Sequence, residues 1–414
     1  MRASKFNGLL GAIFLAGALA ASATSPSAQT RGRAQTKRKT PAPTQAKPSP
    51  QNTAVFNEAV KLANEARDAG RLRDAAENYL KALQINPAWA EGWWYVGTIF
   101  YDTDHYVEAR NALRNLVSLD PKNGPGWALL GLCEFQTKEY DQALASLIRG
   151  RRLGLGGNEA LQAVVRYHGA LLYIRQEQFE VAFEVLREFL SAETISPKLI
   201  EAYGLAIMRM PFLPNEIPAD KRELVLIAGR AAMSMAARRK DEAQAAFSEL
   251  MTRYPNTPGV HYAYGVYLMN HDVDAAMKEF QTELDKSPSH VPSMLQMAFE
   301  YLKRNEYETA LPLAEKAVQL APKMYPGRNV LGRTLLELGR VEEAVKHLEE
   351  GVKLAPDSAQ MHYALARAYS RAGRKEDAAR ERGIFQELEK LMKAQREGTP
   401  LPNNTTQDSP KDKP

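Results

Sequence analysis

The stretch "AEGWWYVGTIFYDTDHYVEARNALRNLVSLDP", residues 90–121, contains two helical patterns separated by a short polar turn. The first pattern carries Trp93 and Trp94 side by side. Adjacent residues of a helix point about 100° apart, so the two indoles face different directions. The second pattern begins at Ala109, and Pro121 closes the stretch because proline cannot continue a helix. We therefore expect a helix hairpin with Trp93 in its core and Trp94 outside that core.

The same hairpin pattern recurs along the chain. Pro87 and Pro121 are 34 residues apart, and a spacing of 34 also separates Pro288, Pro322 and Pro356. Midway between such prolines a small residue begins each second helix: Ala75, Ala109, Ala143, Ala182, Ala243, Ala276, Ala310, Ala344 and Ala378. Internal periodicity of this length is typical of a repeat protein. It predicts nine repeats, beginning near Phe56, Ala90, Gly124, Ala163, Leu224, Pro258, Val291, Tyr325 and Ala359.

Elementary packing explains the pattern. Two helices packed closely need one small residue where they approach, and Gly97 or Gly131 can supply it. A lone hairpin cannot bury its own apolar face, so successive hairpins must stack on one another. The turns "DAGR", "ELGR" and "RAGR" place glycine at a helix end, where a left-handed residue is favoured. The expected fold is all-α.

Period and signature together resemble the tetratricopeptide repeat family over roughly residues 54–390. The resemblance implies a right-handed superhelical solenoid of antiparallel helix hairpins, with the first helices lining a concave groove that binds partners. The repeat register is lost between Ser196 and Leu224. There "SPKLIEAYGLAIMRM" predicts an atypical helix, and "PFLPNEIPAD" predicts a proline-rich loop that divides the array into two halves.

The ends of the chain have a different composition. Residues 1–23 combine Arg2 and Lys5, an apolar run and "ASA", which predicts a cleavable signal peptide. The segment 24–53 is rich in Pro, Ser and Thr, lacks acidic residues and predicts a disordered basic arm. The further predicted divisions are N-terminal repeats at 54–196, the atypical helix and loop at 197–223, C-terminal repeats with a capping helix at 224–396, and a disordered tail at 397–414.

Charge distribution argues against a nucleic-acid interface. The whole chain carries +5 and its first 53 residues carry +8, so the remaining residues sum to −3. A nucleic-acid-binding fold needs a basic face, whereas here the excess positive charge lies in the arm and signal. We expect the arm to make weak electrostatic contacts with anionic envelope surfaces. We expect the protein to be exported, and to be periplasmic or extracellular.

No catalytic or metal-binding constellation is recognisable. A single cysteine excludes an intramolecular disulfide and a Cys-rich zinc site. None of the seven histidines belongs to a His-Glu-x-x-His motif. The "GLGG" at 154–157 follows a predicted helix and lacks the Gly-Lys-Ser/Thr of a phosphate loop. We expect Cys133 to be a buried structural residue. The sequence thus predicts a protein that is not an enzyme and has no cofactor.

The family resemblance implies groove-facing positions, the second, fifth, ninth and twelfth of each repeat. In this sequence they include Asn64, Arg67, Trp94, Tyr101, Phe135, Tyr167, Tyr262, Phe299, Asn329, Arg333, Tyr363 and Arg367. The alternative is that their aromatic members fill the space between adjacent first helices or under an inserted loop. The Lys/Arg and Asn clamp by which some family members hold a C-terminal carboxylate is incomplete, because Val60 stands where a basic residue is needed.

These observations favour a non-catalytic protein–protein interaction scaffold of the bacterial cell envelope, binding peptide or protein partners in its groove. The alternative is an accessory factor for envelope glycan or outer-membrane assembly machinery, whose aromatic groove would hold sugars or apolar segments. The sequence does not name the partner.

Overall fold

The computed structural model describes residues 50–190 and 196–396, and within them every regular element is helical. The signal peptide, nearly all of the basic arm and the tail lie outside the described residues. Nine antiparallel hairpins follow one another: α1 (Pro50–Asp68) with α2 (Leu72–Ile85), α3 (Ala90–Asp102) with α4 (Tyr106–Leu119), α5 (Gly124–Gln136) with α6 (Tyr140–Leu153), α7 (Glu159–Arg175) with α8 (Phe179–Arg187), α10 (Arg222–Ala236) with α11 (Lys240–Arg253), α12 (Val260–Leu268) with α13 (Val273–Lys286), α14 (Val291–Lys303) with α15 (Tyr307–Leu320), α16 (Tyr325–Glu337) with α17 (Val341–Leu354), and α18 (Ala359–Arg371) with α19 (Lys375–Arg396). The predicted all-α array of hairpins is confirmed.

Two of the predicted boundaries are wrong. The fourth hairpin begins at Glu159 and not near Ala163, because the Asn158 side chain accepts a hydrogen bond from the Leu161 amide and caps the helix there. Residues 50–53, expected in the disordered arm, form the first turn of α1. Proline is well tolerated at this point, since the first helical amides have no intrahelical partner.

The unpaired helix α9 (Pro197–Ile207) lies where the repeat register is lost, and it packs against α7 and α8. Two short 3₁₀ helices, Pro214–Glu216 and Ala219–Lys221, occupy the proline-rich loop after it. The described residues form two compact units, which we call the N-terminal unit, ending at Arg222, and the C-terminal unit, beginning at Glu223. In the described parts of both, no helix is long and apolar enough to cross a membrane.

Glycine provides the close approach within hairpins, as predicted. A Cβ built on Gly131 would lie 2.8 Å from Leu147 Cδ2 and 2.9 Å from the Leu147 backbone nitrogen. A Cβ built on Gly97 would lie 2.8 Å from Leu113 Cδ2, but only side-chain atoms of Leu113 come this close. A side chain at Gly131 would therefore force the paired helices apart, whereas one at Gly97 would first displace the Leu113 side chain.

Eight of the nine hairpins of the described residues have a left-handed residue in the turn, more than the glycine motifs indicated; the turn between α12 and α13 has none. Gly70, Gly339 and Gly373 have φ of 71°, 76° and 73°. Other hairpins fill the corresponding place with Asp104, Lys138, Glu177, Arg238 or Asn305, with φ between 58° and 64°. The turn geometry is therefore imposed by helix packing even where the local residue disfavours it.

Candidate binding groove

A recurring hydrogen bond determines the role of Trp93. Its indole Nε1–H donates to the carbonyl oxygen of Pro87, six residues earlier, over 2.8 Å. The same six-residue link recurs in four further hairpins, from Trp127 to Pro121, His261 to Pro255, Arg328 to Pro322 and His362 to Pro356. Tryptophan, histidine and arginine all offer an N–H at the end of a long side chain. The six-residue spacing can be read from the sequence. Its structural role cannot be inferred from hydrophobicity, because it depends on a side-chain N–H that the three residue types share.

Trp93 packs against the buried residues of two core clusters, in line with its expected core position, but Trp94 packs against one of them too, so the expectation that Trp94 lies outside the core is wrong in part. Trp93 is half-buried, because its N–H must reach the proline carbonyl at the end of the preceding hairpin. Trp94 is half-buried too, and its ring lines an open cavity of about 690 Å³. Within the described residues no acceptor takes the Trp94 indole N–H. The second tryptophan thus has a free donor at a cavity wall, whereas the donor of the first is used within the fold.

The cavity lies wholly within the N-terminal unit, along α3, α5 and α7. Its apolar wall consists of Ala90, Trp94, Leu116, Pro125, Leu129, Leu155 and Leu161, and Gly156 completes its backbone. Its polar lining consists of Glu91, Asp120, Asn123 and Asn158. An apolar concave wall with a few polar groups is the usual character of a binding site.

The polar groups of the cavity fall into two kinds. Asn123 and Asn158 are helix caps, whose side-chain oxygens accept hydrogen bonds from the amides of Gly126 and Leu161. Glu91 and Asp120, by contrast, form no ion pair with any residue in the described ranges. Glu91 accepts a hydrogen bond from the Tyr95 hydroxyl, and Asp120 accepts hydrogen bonds from the Lys122 amide and the Asn123 side chain. The cavity lining is therefore mostly apolar with two carboxylates, an arrangement complementary to an apolar side chain flanked by positive charge.

Asn64 and Arg67, two of the predicted groove residues, are occupied inside the first repeats. The Tyr79 hydroxyl donates to Asn64 Oδ1 over 2.7 Å and accepts from Arg67 Nη1 over 3.0 Å. The Arg67 guanidinium also lies 4.7 Å from the centre of the Tyr95 ring. These contacts join α1, α2 and α3, so the two residues act in the packing of the repeats.

Two of the three other predicted aromatics of the N-terminal unit fill space between adjacent helices. Phe135 of α5 lies edge-on to His168 of α7, with ring centres 4.8 Å apart. Tyr167 lies 5.6 Å from His168, and burial raises the pKa of Tyr167 to about 12. Tyr101 packs edge-on to Tyr106 at 5.8 Å. For Phe135 and Tyr101 the space-filling alternative describes the observed packing, whereas the half-buried Tyr167 contacts the next residue of its own helix.

Two predicted groove residues of the C-terminal unit are buried, so their expected exposure to a groove is wrong. Tyr262 is 6% exposed and lies 5.9 Å from Phe280 and 5.0 Å from His290. Asn329 is 2% exposed, and its Nδ2 lies 3.2 Å from the sulfur of Met361. In both cases the following hairpin covers the side chain, a contact that the spacing within one repeat does not specify.

The remaining predicted residues surround an arginine cluster on α16 and α18. The guanidinium of Arg333 lies 5.5 Å from the centre of the Phe299 ring. Arg367 and Arg371 both donate to the carboxylate of Glu337, over 2.8 Å and 2.9 Å. Tyr363, 50% exposed, lies on α18 one turn before Arg367, with its ring centre 5.4 Å from that of Phe385.

The pKa values of Glu337 and Arg333 in this cluster are both lowered, for different reasons. Burial alone would raise the pKa of Glu337, but hydrogen bonds from Arg371 and Arg367 bring it below its usual value. Burial lowers the pKa of Arg333, and the like charge of Arg367 lowers it further. Arg333 has no hydrogen bond or ion pair within the described parts of the chain. Sequence reasoning missed Glu337, because its role depends on two arginines from the next repeat.

Among the described residues, no group of His, Cys, Asp and Glu side chains could hold a metal ion. Cys133 is fully buried, as predicted, and burial raises the pKa of its thiol to about 12, so the nucleophilic thiolate is suppressed. His362 is held by Pro356 on one side and by the carboxylate of Glu381, 2.6 Å from Nδ1, on the other.

Comparison with known families agrees with this architecture. Profiles described as tetratricopeptide repeat match residues 60–123 and 97–151 in the N-terminal unit, and residues 230–257 and 301–367 in the C-terminal unit. Tetratricopeptide repeats are therefore recognised in both units of the chain. Members of this family are typically non-catalytic, and the fold is one that suggests protein partners.

Comparison with solved structures finds matches over less than half of this chain. A MamA RS-1 ArsTM double mutant is 23% identical, with 42% of this chain and 98% of that chain covered and a TM-score of 0.38. MamA 41-end from Desulfovibrio magneticus RS-1 is 23% identical, covering 42% of this chain and 97% of that chain at a TM-score of 0.36. MamA AMB-1 is 24% identical, covering 40% and 98% at 0.35. Comparison with curated proteins gives no match.

Proposed function

We propose that this tetratricopeptide repeat protein is a non-catalytic scaffold that binds a polypeptide partner in the cavity of its N-terminal unit. The observation that carries the proposal is the Trp94 ring on the wall of a cavity of about 690 Å³, with its indole N–H free. Leu129 and Leu161 supply further apolar surface opposite it, and Glu91 and Asp120 supply negative charge. Tryptophans in such positions often dominate the energy of protein interfaces.

The cavity fits one anchoring side chain better than an extended apolar segment. Its wall is apolar, but its two carboxylates disfavour a partner whose flanking residues are also acidic. We therefore infer a partner segment with one large apolar residue between basic ones. The free Trp94 N–H can donate to a backbone carbonyl of that segment, which would fix the depth of the anchor.

The proposed cellular setting is the bacterial cell envelope. Its support is the sequence of residues 1–23, with its basic start, apolar run and small residues before the cleavage point. The basic arm would then make weak contacts with anionic envelope surfaces. Cell fractionation and the mass of the mature N-terminus test this: a cytoplasmic protein that retains Met1 would contradict export without touching the binding proposal.

A photo-crosslinking amino acid in place of Glu91 tests the binding proposal in the cells that make the protein. Glu91 lines the cavity, whereas Glu77 on the exposed side of α2 gives a matched control position. We expect polypeptide adducts from position 91 and not from position 77. Adding Trp94→Ala should lower adduct yield about tenfold or more, since interface tryptophans often contribute roughly 2 kcal/mol.

Trp127→Phe is the matched control for Trp94→Ala. Trp127 uses its indole N–H on the Pro121 carbonyl and lies under the Arg149 guanidinium at 4.0 Å, so it has no free donor. This variant should leave the adducts of position 91 unchanged. Identical adducts from positions 91 and 77, or undiminished adducts in Trp94→Ala with its fold intact, would refute the groove proposal. Adducts with glycan in place of polypeptide would favour the accessory-factor alternative.

A further inference from the structure

The arginine cluster of the C-terminal unit has more positive charge than its one carboxylate neutralises. Arg333, Arg367 and Arg371 converge on one carboxylate, that of Glu337, so these four groups keep two positive charges in excess. Arg367 and Arg371 are satisfied by Glu337 itself. Arg333 lies one turn before Glu337 on the same helix, a spacing at which ion pairs usually form, yet it makes none with a described residue.

Arg333 is also desolvated. Its side chain is half-buried, with the guanidinium facing the Phe299 ring at 5.5 Å, and burial lowers its pKa. Removing a cation from water without an anionic partner is costly, and an aromatic face offsets only part of that cost. An anionic ligand would offset the remaining desolvation cost, because a guanidinium and a carboxylate can form two parallel hydrogen bonds in a low-dielectric site.

We propose that Arg333, with Arg367 beside it, binds a carboxylate from an acidic segment of a polypeptide partner. The proposal rests on the proposed scaffold function only in taking the partner to be a polypeptide. Planar guanidinium suits a planar carboxylate, and the aromatic rings of Phe299 and Tyr363 provide apolar surface on either side for a neighbouring side chain. The site differs from the incomplete clamp considered from the sequence, which involves the first repeat and Val60.

A direct binding experiment tests the chemistry with the full chain. The probe is a fluorescein-labelled peptide of alternating glutamate and tyrosine, and its control has glutamine in place of every glutamate. By fluorescence anisotropy, we expect the glutamate peptide to bind at least about tenfold more tightly than the glutamine peptide, as expected for charge-assisted hydrogen bonds. Equal binding of the two peptides, or binding of neither, would overturn the proposal.

Charge-matched variants locate the site. Arg333→Gln should weaken the glutamate peptide about tenfold, whereas Arg340→Gln, which removes the same charge from an arginine already paired with Glu343, should not. Because Arg333→Gln could disturb packing on Phe299, Arg367→Gln at a more exposed position gives a second variant, and melting curves check both. If Arg333→Gln and Arg367→Gln both bind like the parent protein, the cluster is not the site.

Two further measurements separate the alternatives. Inorganic phosphate that displaces the glutamate peptide at concentrations where acetate has no effect would assign the site to phosphate and overturn the carboxylate proposal. The peptide should also raise the melting temperature of the parent protein and not of Arg333→Gln, because a ligand stabilises only the state that binds it. If the glutamate peptide does not bind, the photo-crosslinking result at position 91 is unaffected. Each proposal can therefore be refuted without refuting the other.

Discussion

Replacing Gly131 by alanine should destabilise the N-terminal unit, whereas the same replacement at Gly169 should stabilise it. Both glycines lie inside first helices, α5 and α7, and neither has a positive φ. A Cβ at Gly131 would lie 2.8 Å from Leu147 Cγ and 2.9 Å from its backbone nitrogen, whereas a Cβ at Gly169 meets nothing within 4 Å. The pair therefore separates helix propensity from helix–helix contact at matched positions.

The magnitudes follow from two opposed effects. Alanine in place of glycine favours a helix interior by about 1 kcal/mol. At Gly131 this gain is outweighed, because the clash includes backbone of α6, and overpacking of a core costs about 1–3 kcal/mol. Because the Leu147 backbone cannot turn aside as the end of a side chain can, we take the upper part of that range, about 2–3 kcal/mol, for Gly131. We therefore expect a net loss of about 1–2 kcal/mol for Gly131→Ala and a gain of about 0.5–1 kcal/mol for Gly169→Ala.

Tryptophan fluorescence during urea unfolding measures both effects. All four tryptophans lie between Trp89 and Trp127, in the same unit as the two glycines, so the signal reports this unit alone. With a urea dependence of about 2 kcal/mol per molar, the two midpoints should differ by about 1 M. A Gly131→Ala protein as stable as the parent would show that the hairpins separate freely, and would refute the close-approach argument.

Three other predictions concern single contacts. His362→Leu leaves the buried Glu381 without its main partner and should lower the local stability of α18 and α19 by about 3–5 kcal/mol. The double variant with Glu381→Leu should regain most of that stability. Hydrogen exchange of the amides in the two helices measures both effects. Lys138→Gly should stabilise its hairpin by about 0.5–1 kcal/mol, because Lys138 has φ of 64°; urea midpoints with an unchanged slope check this. Burial, with Lys198 nearby, lowers the pKa of His168 despite its hydrogen bond to Val164. The unfolded chain therefore takes up the proton first, and the stability that His168 contributes is lost as pH falls below about 6.5; His168→Gln should flatten that dependence in urea midpoints measured from pH 7 to 5.

The hairpin architecture was predictable because each repeat carries its own steric requirements. Gly131 must be small since one neighbouring residue, Leu147, approaches it at a fixed distance along the chain. The alanine that begins each second helix recurs in all nine repeats, and the closing proline recurs in most of them, because each repeat has the same local geometry. Turn residues were predictable only where glycine stood in them, because Lys138 adopts the left-handed conformation under the constraint of the two helices it joins.

Groove residues were less predictable because their exposure is set by other repeats. Tyr262 and Tyr363 hold the same repeat position, yet Tyr262 is 6% exposed and Tyr363 is 50% exposed. Arg333 and Arg367 also share one position, but only Arg367 finds a carboxylate. The position in a repeat fixes which way a side chain leaves its helix. What it meets there depends on the loops and side chains of the next hairpin, which the period alone does not encode.

The six-residue bond to a proline carbonyl has a consequence for how such a chain can grow. Trp93, Arg328 and His362 differ in size, charge and aromaticity, but each bonds to a backbone oxygen, an atom that every predecessor repeat presents. The hydrogen bond at the junction therefore does not depend on which side chains the preceding repeat carries. A 34-residue segment that starts after one such proline and is inserted after another can form the same junction hydrogen bond at both of its ends. Duplication, loss and exchange of repeats can then alter the binding surface while leaving the junctions between hairpins unchanged.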